Sequence, residues 1–112
     1  MDVLITGNGV EIDSALKDYI RRRIDFGLSR FSNKVGRIRV VVTYKSGPLG
    51  GIEKLCRIRV QLLGNTTVVV SYSDDDVHVA IAYATDQIHR VVARRIKMGL
   101  TFAVTERVDR SR

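Results

Sequence analysis

With 112 residues, 45% of them hydrophobic, the chain is sized for one domain around one core, which excludes an enzyme built from separate catalytic and regulatory domains. Nineteen Lys and Arg against twelve Asp and Glu give a net charge of +7 and a pI near 10.1, a balance that favours polyanionic partners. A single cysteine, Cys56, excludes an internal disulfide and fits a reducing compartment.

Residues 1–6 read as a short strand that stops at the turn composition Gly7-Asn8-Gly9. The N-terminus has neither the charged start nor the apolar run of a signal peptide, and no stretch approaches a membrane span, so the expected location is the cytoplasm. Asp13 is a good helix N-cap, and Leu16, Ile20, Ile24, Leu28 and Phe31 recur at three- or four-residue steps as one apolar stripe. Gly27 weakens the end of this helix, and Ser32-Asn33 reads as its exit.

Residues 35–44 alternate, with Ile38, Val40, Val42 and Tyr44 on one side and Arg37, Arg39, Val41 and Thr43 on the other. Residues 45–51 hold the only proline and three glycines and form a loop. Residues 55–63 alternate again, Cys56, Ile58, Val60 and Leu62 against Arg57, Arg59 and Gln61, and Gly64-Asn65 connects them to a strand over 66–72. Ser73-Asp74-Asp75-Asp76 opens a second helix whose stripe is Val77, Ile81, Ala84, Ile88, Val91, Val92 and Ile96. From Gly99 the tail carries Leu100, Phe102 and Val104 and then turns polar. A short strand, a docked extension and a frayed end all fit it.

The order is strand, helix, three strands, helix. Each helix has one apolar stripe and the sheet one apolar face, so the expected fold is α+β: a two-layer sandwich with both helices on one face of a four-stranded sheet. The domain is expected over residues 1–98, with 99–112 as a tail that is partly disordered or docked. Whether the first strand joins an edge of the meander or pairs inside it is left open by the pattern.

No catalytic set is visible. His78 and His89 lie eleven residues apart on one helix, roughly 16 Å by helix rise, so they cannot share a metal. There is no GxSxG, no P-loop and no paired nucleophile and base. The expectation is therefore a non-enzymatic protein without metal, cofactor or small-molecule substrate. What remains is basic. Lys17, Arg21, Arg22 and Arg23 on the first helix and Arg90, Arg94, Arg95 and Lys97 on the second would form one broad cationic surface if the helices pack side by side. The high share of Arg suits bidentate phosphate contact. Arg37, Arg39, Arg57 and Arg59 form a second set on the sheet face away from the core, where a base-reading sheet would carry aromatics instead. RNA backbone contact and no contact at all both remain open for this second set.

Two blocks of these residues resemble a known family. Ile5-Thr6-Gly7, Val10-Glu11-Ile12, Ala15-Leu16-Lys17 and Tyr19-Ile20 are similar to the opening of the ribosome hibernation-promoting factor and ribosome-associated translation inhibitor family. Asp76, Ala80-Ile81, Ala84, Asp86, Ile88 and Arg90, followed by Arg94 and Arg95, fit its last helix without a gap. The resemblance implies a β-α-β-β-β-α domain akin to a double-stranded-RNA-binding fold. It implies a partner, the small ribosomal subunit and its rRNA near the decoding site, and a task, holding idle ribosomes inactive. By position it nominates Lys17, Arg21, Arg23, Arg90, Arg94, Arg95 and Lys97 for rRNA contact. The chain departs from the family pattern at Asn8, His78, Ala82 and Gln87, in the loop 45–51, and after Lys97. A general binder of double-stranded RNA acting away from ribosomes is the alternative. A weak homodimer through the tail's apolar residues stays open, and no membrane partner is expected.

Overall fold

The computed structural model describes residues 1–99 and 105–111. Strand β1 (Asp2–Asn8) leads to helix α1 (Ser14–Leu28), which ends in a 3-10 turn, Ser29–Phe31. Strands β2 (Val35–Ser46), β3 (Ile52–Leu62) and β4 (Thr67–Asp74) follow, then helix α2 (Val77–Met98) and strand β5 (Thr105–Ser111). The sheet has five strands in the order β1-β2-β3-β4-β5. The expectation of four strands is therefore corrected. Residues 105–111 carry Val108 as their sole aliphatic side chain, too weak an alternation to select the strand among the three readings left open for the tail, yet they pair in parallel with β4 from Thr67↔Thr105 onward. The apolar tail residues Leu100, Phe102 and Val104 lie outside the described residues.

β1 sits at the opposite edge, parallel to β2 in the register Val3↔Ile38 to Asn8↔Thr43. It runs through Gly7 and Asn8, two residues past the expected stop, and the chain turns at Gly9 (φ 76°), where a Cβ would lie 2.6 Å from the Tyr44 carbonyl oxygen. β2, β3 and β4 form the expected antiparallel meander. Each helix is thus the crossover of a parallel βαβ unit, one at each side of the sheet, which puts both helices on the same face.

Local chemistry fixes the helix ends. Asp13 Oδ1 accepts from the Leu16 amide at 2.8 Å, and Asp76 Oδ1 accepts from the His78 amide at 2.9 Å. Gly99, at φ 95°, closes α2. The core fills the helix–sheet interface. Ile20, Ile24 and Leu28 of α1, Ile38, Val40 and Val42 of β2, Cys56, Ile58 and Val60 of β3, and Ile81, Ile88, Val91 and Val92 of α2 are fully buried. Burial of each large aliphatic contributes about 1.5–3 kcal/mol. The Cys56 thiol is inside this core, and burial pushes its pKa up to about 12, so it is protonated and inert. No helix among the described residues is long and apolar enough to cross a membrane.

The helices run parallel and side by side. Gly27 explains its own presence: a Cβ there would stand 2.1 Å from Nδ1 of His89, so the residue that weakens α1 locally is the one that lets α2 approach. Tyr19 and His78 make a second contact nearer the helix starts, with ring centroids 5.2 Å apart.

Candidate nucleic-acid interface

The helix-borne cations are unequal in availability. Arg23 points between the helices: its Nε donates to Thr85 Oγ1 at 2.8 Å, and Nη2 donates to Asp86 Oδ1 at 2.9 Å and to the Ala82 carbonyl at 3.4 Å. Thr85 in turn donates to the Ile81 carbonyl at 2.8 Å. This network makes Arg23 a strut between α1 and α2. Arg21 leans on β1 through the Val3 carbonyl at 3.4 Å. Arg94 pairs with Glu106 of β5, and Arg95, its side chain only 17% exposed, lies 4.0 Å from the same carboxylate. Glu106 therefore neutralises charge at the C-terminal end of α2. Arg22, Arg90 and Lys97 are exposed, Arg90 steadied by Gln87 Oε1 at 3.1 Å, and Lys17 is half-buried.

The two basic sets do not superpose. Arg23 lies level with Thr85 and Gly27 with His89, so α1 and α2 advance in step with an offset of 62 residues. Arg22 is then level with the middle of α2, while Arg94 and Lys97 project past the end of α1, roughly 15 Å further along at about 1.5 Å per residue. Arg30 lies between them. The sequence-derived set did not include it; it sits in the 3-10 turn after α1, where its guanidinium carbon lies 4.6 Å from the Phe31 ring centroid. Phe26, 91% exposed, lies one turn from both Arg22 and Arg30. The result is a band along the helix layer with a cationic start, an aromatic middle and a cationic end.

The opposite face is the outer side of the sheet. Arg39 and Arg59 are directly paired across β2 and β3, and Arg59 and Arg107 flank Val69 from the two neighbouring strands. Val69 faces away from the core yet is only 2% exposed, as expected if the arginine stems lie over it. Arg57 donates from Nε to Ser71 Oγ at 3.1 Å. Arg37, Arg39 and Arg59 line a shallow depression with Gln61 and Thr67, with no carboxylate among the described residues that line it, and Asp2 of β1 stands opposite Arg37 in the register. Among the described residues none of Arg37, Arg39, Arg57, Arg59 and Arg107 enters a salt bridge. Arg107 belongs to the strand that the sequence did not reveal, and it extends the arginine face by one strand.

Chemically, both faces can hold phosphate. His89 is packed against Gly27 with Nε2 lacking a hydrogen-bond partner among the described residues. Burial lowers its pKa below the ordinary value, against the pull of Asp86, and Arg23 and Arg30 lower it further. Among the described residues no His, Cys, Asp and Glu cluster could hold a metal.

Solved structures share this architecture. The N-terminal domain of Thermus thermophilus Protein Y superposes with a TM-score of 0.70 at 28% identity, covering 84% of this chain and 98% of that one. A ribosomal subunit interface protein from Coxiella burnetii superposes equally, TM-score 0.70, at 18% identity over 84% of this chain and 96% of its own. No curated protein sequence matches the chain. The family model described as sigma 54 modulation protein / S30EA ribosomal protein matches residues 3–97, the same span and the same hibernation-factor group to which the two sequence blocks point, and the chain belongs to that family.

Proposed function

We propose that this protein binds the small ribosomal subunit, occupies the path of tRNA and mRNA, and holds idle ribosomes inactive in the cytoplasm. The observation that carries this reading is the placement of cations on both faces of a thin domain, 18 Å along its shortest axis, within a family of ribosome-associated factors. A domain of that shape can touch RNA on two sides at once, which suits a channel better than an open surface. The Coxiella relative's description as a ribosomal subunit interface protein supports the same partner.

The mechanism is occupancy, with no bond made or broken. Arg22, Arg30, Arg90 and Lys97, and Lys17 nearer the start of α1, supply phosphate contacts from the helix layer. Arg37, Arg39, Arg57, Arg59 and Arg107 supply them from the sheet. Arg23, Arg94 and Arg95 act by shaping the domain, because their guanidinium groups are engaged within it. Binding that rests on several phosphates falls steeply with salt. The outer sheet face has no aromatic platform, so contact there is with backbone and shape.

Sedimentation with ribosomes and isolated subunits tests the reading. The expected result is co-migration with the small subunit and the whole ribosome at low salt, displaced by tRNA and mRNA. Tight binding to a plain RNA duplex without preference for ribosomes would replace it with the general RNA-binding reading.

A further inference from the structure

Tyr72 of β4 and Tyr83 of α2 stack with ring centroids 4.8 Å apart and planes inclined by 19°. Tyr72 packs against the core, but Tyr83 is 53% exposed, and Ile81, Ala84 and Ile88 already bury that stretch of α2. Beside the rings is a cleft of about 230 Å³, lined also by Gln87, Arg90 and Arg110, with no carboxylate among the described residues on its walls. Arg110 comes from β5, directly opposite Tyr72 in the β4–β5 register. Arg90 comes from α2, and its Nη2 is anchored on Gln87 Oε1 at 3.1 Å. Neither arginine enters a salt bridge among the described residues.

Small-molecule sites usually enclose roughly 300–1,000 Å³, so this cleft is too small for a whole nucleotide cofactor and suits one flat group. An exposed, pre-stacked aromatic flanked by two unneutralised arginines matches the way unpaired RNA bases are held: the ring takes the base, and the guanidinium groups take the adjoining phosphates. An acidic or purely apolar partner would use only half of this arrangement. We infer that Tyr83, backed by Tyr72, is a stacking platform for one unpaired RNA base, with Arg90 and Arg110 holding its flanking phosphates. The inference rests on the RNA-binding reading above. It adds a base-selective contact to surfaces otherwise suited to backbone, and it separates Arg90 from Arg94 and Arg95, which face Glu106.

The test uses the full chain and two RNA probes: a hairpin with a single bulged 2-aminopurine, and the same stem fully paired. The wild type should bind the bulged hairpin more tightly and quench its fluorescence. Tyr83→Ala should weaken bulged-hairpin binding about 5- to 160-fold, the range of one base–aromatic stack, and leave the paired stem unchanged. Tyr83→Phe should keep the preference, and Arg110→Gln should weaken it without altering the melting temperature. Equal binding of the two probes by the wild type would overturn the proposal, as would a Tyr83→Ala effect confined to self-association. Wild-type co-sedimentation with ribosomes, measured in parallel, separates the two readings: its loss sinks the ribosome assignment, whereas probe equality with co-sedimentation intact sinks the platform alone.

Discussion

The helix layer carries more cations than the outer sheet face, and the two sets differ in what those cations already do. On the helices, Arg23 ties α1 to α2, and Arg94 and Arg95 share Glu106. On the sheet, Arg39 and Arg59 face each other across two strands with no carboxylate between them. Arginines in a helix layer are close to backbone carbonyls and to the side chains of a neighbouring helix, so some become structural. Arg39 and Arg59 have each other as cross-strand neighbours, so their repulsion persists until an anion arrives. Formal charge is therefore a poor measure of available charge, and the sheet face is the more strongly poised for a polyanion.

The comparison can be broken most sharply at the helix contact. Gly27→Ala should raise intrinsic helix propensity by about 1 kcal/mol and still destabilise the domain by about 1–3 kcal/mol net, because the new Cβ meets the His89 ring. Denaturant melts would reveal this as a lower midpoint, and a stabilised variant would mean that the helices are not in contact there. Next comes a pair of neighbouring arginines. Arg23→Ala should cost about 1–3 kcal/mol by removing charge-assisted hydrogen bonds, whereas Arg22→Ala should stay within about 0.5 kcal/mol of the wild type and lower RNA affinity instead. Equal effects of the two on stability would erase the distinction between strut and contact.

On the sheet the expected sign is reversed. Arg59→Gln relieves the cross-strand repulsion with Arg39 and should stabilise the fold by about 0.2–1 kcal/mol while weakening RNA binding. A loss of stability would show that the arginines support the sheet. The smallest effect concerns pH. His89 has a folded pKa below the ordinary 6.5, so the unfolded chain takes up the proton first. Stability is then full above about pH 6.5 and declines as pH falls from there toward the lowered value. Asp86, Arg23 and Arg30 surround the ring, and His89→Phe should flatten this part of the pH profile without touching the carboxylate-driven loss at lower pH.

Much of the fold was legible because period and caps agree. The stripe from Leu16 to Phe31, of which α1 takes the part to Leu28, the stripe ending in Ile96 and the alternations in β2 and β3 each carry several apolar side chains in register, and Asp13 and the run from Ser73 to Asp76 mark the helix starts. β5 was not legible, because an edge strand with Val108 as its sole inward aliphatic obtains its order from β4 rather than from its own pattern. For the same reason Arg107 and Arg110 were missed, since both depend on that pairing. The position of β1 needed the crossover geometry, which sequence alternation does not encode. The strut role of Arg23 was hidden too: its partners lie about sixty residues away on another helix, and helical periodicity specifies a face but not what that face will meet.

The most direct measurement is the affinity for purified small ribosomal subunits across a salt series, for the wild type, for Arg39→Glu/Arg59→Glu, and for Arg22→Glu/Arg90→Glu. Two-faced phosphate contact predicts a steep wild-type dependence, and each double reversal should lower the slope of log K against log salt by about two, roughly one per contact removed. A wild-type affinity indifferent to salt, or absent even at low salt, would contradict the account.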